Sequence, residues 1–174
     1  ARHGFRKAHA NLRFRGRGPG TGSAAAVAPG VEILDWRAVP SAQLLAYDRA
    51  HFPTERDRFI LSWCAQDRVL ARVARSNQGL CGLGVLRPCR EGWKLGPLFA
   101  DTPAIAMALL EQLRCGLSPD EPFTLDVPEA NAAAMDWMEQ AGFECLFPTA
   151  RMYLGEIPVL PLDRIFGITS LELG

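Results

Sequence analysis

Thr102 and Pro103, set directly after an apolar run, are the residues whose types and spacing most directly imply chemistry. The segment Gly92 to Gly116, GWKLGPLFADTPAIAMALLEQLRCG, reads as a strand, Trp93 to Ala100, that turns into a helix. Thr102 supplies a capping hydroxyl, Pro103 fits the first helical position, where no N–H is needed, and Gly116 closes the end. A helix that begins straight after a strand aims its free N–H groups and positive dipole end past the strand's C-terminal edge. Anion binding is the chemistry expected there.

Other chemistries have less material. The three histidines are His3, His9 and His51, two of them in a basic N-terminal stretch, so neither a histidine metal cluster nor a Ser-His-Asp set is in prospect. Cys64, Cys81, Cys89, Cys115 and Cys145 are odd in number and widely spaced, with no C-x-x-C. Buried reduced thiols in a reducing, cytoplasmic compartment are expected, without metal or disulfides. No apolar run approaches the roughly 20 residues of a spanning helix, and no membrane partner is expected.

The formal net charge over 174 residues is zero, but residues 1–30 hold Arg2, Arg6, Lys7, Arg13, Arg15 and Arg17 and no acid. The remainder is acidic, with 13 basic residues against 19 carboxylates. An Arg-rich, acid-free start is compatible with a transit peptide or a nucleic-acid arm. Outside that stretch the chain has neither interleaved surface aromatics nor a reading motif, so nucleic acid is not expected as a partner.

The helix start needs a sheet to hold it. Val31 to Trp36 reads as a first strand, followed by helices over Ser41 to Ala50 and Thr54 to Ala65, the second capped by Thr54. Arg68 to Arg75 and Leu80 to Leu86 form a hairpin through Ser76-Asn77-Gln78-Gly79 and lead into the strand at Trp93. Downstream come a short strand, Phe123 to Val127, and a helix, Ala132 to Gln140, capped by Asn131 and ended by Gly142. Strands over Phe143 to Phe147, Thr149 to Leu154 and Ile165 to Leu173 complete a mixed α/β layout.

Residues 1–16 read as a turn at Gly4 and two short extended pieces, and Gly16 to Gly30, rich in Gly, Ala, Ser and Pro, as a linker. An internal echo accompanies them. Gly4-Phe5 followed by Phe14-Arg15-Gly16 recurs as Gly142-Phe143 followed by Tyr153-Leu154-Gly155. Two similar tails a domain apart suggest tandem copies of one fold. On that basis residues 1–16 are the C-terminal remnant of a preceding copy, 17–30 the linker and 31–174 the domain proper.

The order of elements, with the segment FTLDVPEANAAAMDWMEQAGF after the central strand and helix, resembles the GNAT superfamily of CoA-dependent N-acyltransferases. Asn131 through Gly142-Phe143 is similar to the family's "V…N…A…GF" pattern, and Ala104 to Leu110 to its G-x-G/A-x-x-L-L helix start. Arg87-Pro88, Gly92 to Leu98 and Arg151-Met152-Tyr153 look like the C-terminal member of proteins with two GNAT domains in tandem. The resemblance implies a central, mostly antiparallel twisted sheet flanked by helices, with a splayed central strand pair.

It also implies a function: transfer of an acetyl or other acyl group from acyl-CoA to the amine of a small molecule or peptide. The alternative is a degenerate, non-catalytic copy that binds CoA or serves as a packing or regulatory partner of a preceding GNAT domain. By resemblance, acetyl-CoA lies along Leu98 and Phe99, whose backbone N–H groups face the oxyanion. Its pyrophosphate meets Asp101, Thr102, Ala104, Ile105, Ala106 and Met107, and Asn131 lies beside pantetheine. Asp101 stands in place of Gln or Arg, Pro103 removes an amide donor, and Ala104 replaces a glycine, all of which weaken the cradle. Asp126 and Glu129 are the candidate general bases. Met138 occupies the place of the family's proton-donating tyrosine. Arg56 and Arg58 are candidates to hold an acceptor carboxylate, or to pair with Glu55 and Asp57 at a solvated helix start.

Overall fold

Alternation and helix punctuation build twelve elements in a computed structural model that describes residues 4–19, 27 and 29–173. The strands are β1 (Phe5–Arg17), β2 (Glu32–Asp35), β3 (Leu70–Ser76), β4 (Gly79–Pro88), β5 (Trp93–Ala100), β6 (Pro122–Pro128), β7 (Glu144–Leu154) and β8 (Ile165–Gly167). The helices are α1 (Ser41–His51), α2 (Asp57–Cys64), α3 (Pro103–Arg114) and α4 (Ala132–Gln140). One sheet has the order β2-β3-β4-β5-β6-β1-β7, with β8 added to β5. Its pairings are antiparallel except for the parallel β5–β6 pair, the splayed central pair that the family resemblance implies.

Two cores lie on the two faces. Leu109, Leu113, Phe123, Leu125 and Met138 pack under α3 and α4, and Leu44, Ile60, Leu83, Val85 and Phe99 under α1 and α2. Each such side chain contributes about 1.5–3 kcal/mol when fully buried. Glycines in β4 set the height of α3. A Cβ at Gly82 would stand 2.7 Å from Leu109 Cδ1 and 2.9 Å from Ile105 Cγ2, so the bare backbone brings the start of α3 close to the sheet. Among the described residues no helix is long and apolar enough to cross a membrane.

Several elements differ from expectation. Residues 5–17 are one strand, not two short pieces, and they lie inside the sheet, between β6 and β7. Bulges at Lys7/His9 and Arg13/Phe14 interrupt the alternation of β1, which is why the sequence looked broken. The two echoing segments are neighbours: Phe5 faces Leu154 and Arg15 faces Glu144. Most of the expected linker, residues 20–26 and 28, lies outside the described residues.

Helix α2 starts at Asp57 without a side-chain cap, rather than at Thr54. Arg56, held by Asp48, keeps the chain out of helical geometry at φ −138° and ψ 38°. β7 runs unbroken through Pro148, which an edge strand tolerates. The last strand stops at Gly167, and the following backbone leaves the ladder to bond β6 through Ile168. Cys64 and Cys81 are buried, but Cys89, Cys115 and Cys145 are exposed, against the expectation of buried thiols.

Candidate functional site

β5 and β6 pair only through Trp93–Phe123, Lys94–Thr124 and Leu95–Leu125, and beyond Leu95 they part. The cleft between them is filled by the chain's own C-terminal segment. β8 pairs antiparallel with β5, Leu98 facing Gly167 and Phe99 facing Ile165, while Ile168 N–H donates to the Asp126 carbonyl on the opposite wall at 2.9 Å. The segment crosses β5 above Gly96, where a Cβ would lie 2.4 Å from the Ile168 oxygen and 2.5 Å from the Thr169 oxygen. Ile165, Phe166, Ile168, Thr169 and Ser170 are all buried.

Side chains lock this segment in place. Asn131 Oδ1 accepts from Ala134 N–H at 3.0 Å as the expected cap of α4, and Nδ2 donates to the carbonyls of Asp163 (3.2 Å) and Ile165 (3.0 Å). The amide expected beside pantetheine is thus committed to residues 163 and 165. Arg56 forms a buried bidentate pair with Asp48 at 2.7 and 2.8 Å and donates to Thr169 Oγ1 at 2.9 Å. It therefore pairs with neither Glu55 nor Asp57, and its guanidinium is not open to an acceptor carboxylate. Asp57 pairs instead with Arg49.

At the start of α3 the expected cap is present: Thr102 Oγ1 accepts from Ile105 N–H at 3.4 Å and its carbonyl from Ala106 N–H at 3.1 Å. Thr102, Pro103, Ala104 and Met107 are exposed, whereas Ile105 and Ala106 are buried. Asp101 accepts from the Tyr47 hydroxyl at 3.0 Å and pairs with Arg164 at 3.6 Å. Burial, then the Asp101 charge, push the Tyr47 phenol well above its ordinary pKa. A carboxylate held by Tyr47 and Arg164 thus belongs to the residue just before the cap of α3, where the family resemblance places the pyrophosphate.

Asp126 and Glu129, the candidate bases, both hold β1. Asp126 is fully buried, with Arg13 Nε and Nη2 donating at 2.7 and 2.9 Å and the Lys94 ammonium in an ion pair with it at 2.6 Å. Both of its oxygens are therefore occupied. Burial pushes the Lys94 ammonium down to about 8, against the opposing pull of Asp126. Glu129 is exposed and accepts from Ala10 N–H at 2.6 Å. Both carboxylates are spent on seating β1, 113 and 119 residues away in sequence. Met138 is buried in the core and offers no proton.

Sequence reasoning missed Arg13, Lys94 and Arg164. One signal was legible: a lysine inside the wholly buried run WKLGPLFA requires a buried carboxylate partner. Beside the cleft, a cavity of about 30 Å³ is lined by Asn11, His51, Phe99, Tyr153, Ile165 and Ile168. The His51 ring stacks on Phe99 with centroids 4.9 Å apart, and burial lowers its pKa, so a neutral ring donates Nδ1–H to the Tyr47 carbonyl at 2.8 Å. That volume suits about one water and not an acyl-pantetheine arm. Taken together, the cleft does not fit an acyl-CoA: its β5 edge is paired, its Asn131 is committed and its helix start carries Asp101.

Residues 44–167, from α1 to the end of β8, match the acetyltransferase (GNAT) domain family. The chain is 26% identical over 132 residues to the holothin acyltransferase of Pseudoalteromonas sp. (strain SANK 73390), covering 76% of this chain and 45% of that protein. A Pyrococcus horikoshii structure assigned as an acetyltransferase superposes with a TM-score of 0.71 at 21% identity, over 98% of this chain and 53% of its own. A GCN5-related N-acetyltransferase from Sphaerobacter thermophilus gives 0.64 at 14% identity, over 90% of this chain and 56% of its own. At these identities the two structures show the fold. The chain spans about half the length of the relatives it matches.

Proposed function

Because the chain belongs to the GNAT acetyltransferase family, we propose that it is the non-catalytic, packing and regulatory member of a pair of GNAT domains. The preceding copy carries out acyl-CoA-dependent transfer of an acetyl or other acyl group to the amine of a small molecule or peptide. The observation that carries this assignment is the filled cleft: Ile165 to Ser170 occupy the β5–β6 splay that the family resemblance reserves for pantetheine. The occupied oxygens of Asp126, the Asp101 carboxylate at the α3 start and the buried Met138 support it. The name of the relative, holothin acyltransferase, supports acyl transfer as the activity of the whole protein. Five free thiols support a reducing, cytoplasmic location.

Calorimetric titration of the chain with acetyl-CoA tests the assignment. No saturable heat is expected up to about 1 mM ligand, the range of affinities weaker than about −4 kcal/mol. Saturation with a Kd below about 100 µM would overturn it. The capped, exposed start of α3 at Thr102 to Ala104 favours a second possibility, in which this domain itself binds acyl-CoA once residues 163–170 leave the cleft. In that case the titration would show binding together with faster backbone exchange of those residues.

A further inference from the structure

Arg87, Lys94, Thr124 and Arg15 stand opposite one another along a single row that crosses β4, β5, β6 and β1. Residues opposite each other in a ladder point to the same face of the sheet. Together with Arg13 and Cys89 these four line a cavity of about 330 Å³. Two like charges, Arg87 and Lys94, thus face each other directly across β4 and β5, which destabilises a sheet unless something offsets it.

The chain offsets only part of it. Arg13 and Lys94 share the one carboxylate of Asp126, and Arg15 pairs with Glu144 at 3.3 Å. Arg87 has no carboxylate partner among the described residues. Its guanidinium lies over the Trp63 ring, 4.6 Å from the centroid, and its buried Nε has no acceptor. Glu91 and Glu172, the other acids at the cavity, are exposed and form no salt bridge among the described residues, although the Glu172 charge is felt at Arg13. A buried guanidinium N–H without an acceptor leaves its desolvation penalty unrelieved. Such a local conflict is what a functional site retains.

Shape and charge together define the missing group. The volume falls at the lower end of the range for small-molecule sites, about 300–1,000 Å³. A guanidinium edge matches the two oxygens of a carboxylate, the Thr124 hydroxyl offers one more donor, and Leu146 and Phe147 supply an apolar wall. One cation without a partner calls for a single negative charge, which favours a carboxylate over a doubly charged phosphate.

We propose that this cavity is a binding site for a small organic carboxylate, held by the Arg87 guanidinium and the Thr124 hydroxyl with its carbon body against Leu146 and Phe147. Arg13 and Lys94, fixed by Asp126, give the site a cationic floor. Lys94 precedes Leu95, beyond which β5 and β6 part, so the site requires neither an open cleft nor the non-catalytic assignment.

Cys89, exposed and lining the cavity, is a built-in reporter, and the exposed Cys115 and Cys145 lie outside it as internal references. Iodoacetate is itself a small carboxylate and iodoacetamide its neutral counterpart. With either reagent the thiolate attacks the methylene carbon and iodide leaves. Alkylation of the 174-residue chain is followed thiol by thiol by peptide mass spectrometry. The ratio of iodoacetate to iodoacetamide rates is expected to be at least about tenfold higher at Cys89 than at Cys115 and Cys145. The Cys89 rate should also saturate with iodoacetate in the millimolar range and fall on addition of acetate but not of acetamide. Equal ratios at the three thiols overturn the proposal, as does a Cys89 rate that stays linear in iodoacetate, the mark of a general field without a site. Arg87→Met is expected to bring the Cys89 ratio down to that of the other two thiols and to leave its iodoacetamide rate unchanged, which also reports an intact fold. A retained ratio in that variant counts against the proposal, and the acetate and acetamide competition on wild type decides the question where the variant folds poorly. Inorganic phosphate displacing iodoacetate at a lower concentration than acetate overturns the assignment to a carboxylate.

Discussion

Lys94 carries its charge inside a strand whose other residues are Trp, Leu, Gly, Pro, Phe and Ala, and burial holds its ammonium at about 8 although Asp126 lies 2.6 Å away. In the unfolded chain the same group titrates near 10.5. Between these values the unfolded state keeps a proton that the folded state has released, so folding stability rises with pH across that window. The gain approaches about 3 kcal/mol at the top of it. Urea unfolding from pH 7 to 10.5 is expected to show wild type gaining on Lys94→Met above pH 8, and a constant difference between the two would contradict the assignment. Asp126 gives a complementary test. Replacement by Asn leaves Arg13 and Lys94 without their shared carboxylate and is expected to cost about 3–5 kcal/mol of stability. A variant with unchanged denaturation would show that the carboxylate does not anchor β1.

At the scale of elements, the filled cleft depends on one residue that lacks a side chain. A methyl group at Gly96 would meet the carbonyl oxygens of Ile168 and Thr169, which are backbone atoms and cannot swing aside. Gly96→Ala is expected to cost about 1–3 kcal/mol, the usual range for overpacking. The loss should be concentrated in faster amide exchange from Ile165 to Ser170, and unchanged exchange there would mean that the segment is not seated on β5. β5, α3 and α4 were legible in the sequence because their signals are local: an apolar run, Thr102-Pro103 and Asn131 ten residues before Ala141-Gly142. The start of α2 was not, because Asp48 draws Arg56 out of the helix that Thr54 would otherwise cap. Nor was the occupant of the cleft, since IFGITSLEL reads as an ordinary strand and only its pairing with Leu98 and Phe99 gives it a place. Asp126 and Glu129 looked like bases for the same reason. Their partners on β1 lie more than a hundred residues away, and no spacing rule connects them.

For the molecule as a whole, the strand that seemed peripheral in the sequence is central in the sheet. Without β1, β7 loses its only described strand partner and β6 loses a ladder from Pro122 to Pro128. Asp126 would keep Lys94 but not Arg13, and the buried ring of Phe14 would leave the core beneath α3 and α4. Losing the guanidinium from a buried pair costs about 3–5 kcal/mol, and removing a buried phenylalanine costs a similar amount. Their sum is comparable with the whole stability of a typical domain, about 5–15 kcal/mol. Residues 31–174 alone are therefore expected to show no cooperative thermal transition by circular dichroism, and a synthetic peptide of residues 4–19 is expected to restore one in a concentration-dependent way. A cooperative melt of 31–174 at the midpoint of the longer chain would mean that β1 is dispensable. Restoration by the peptide would show that the sheet accepts β1 as a separate strand.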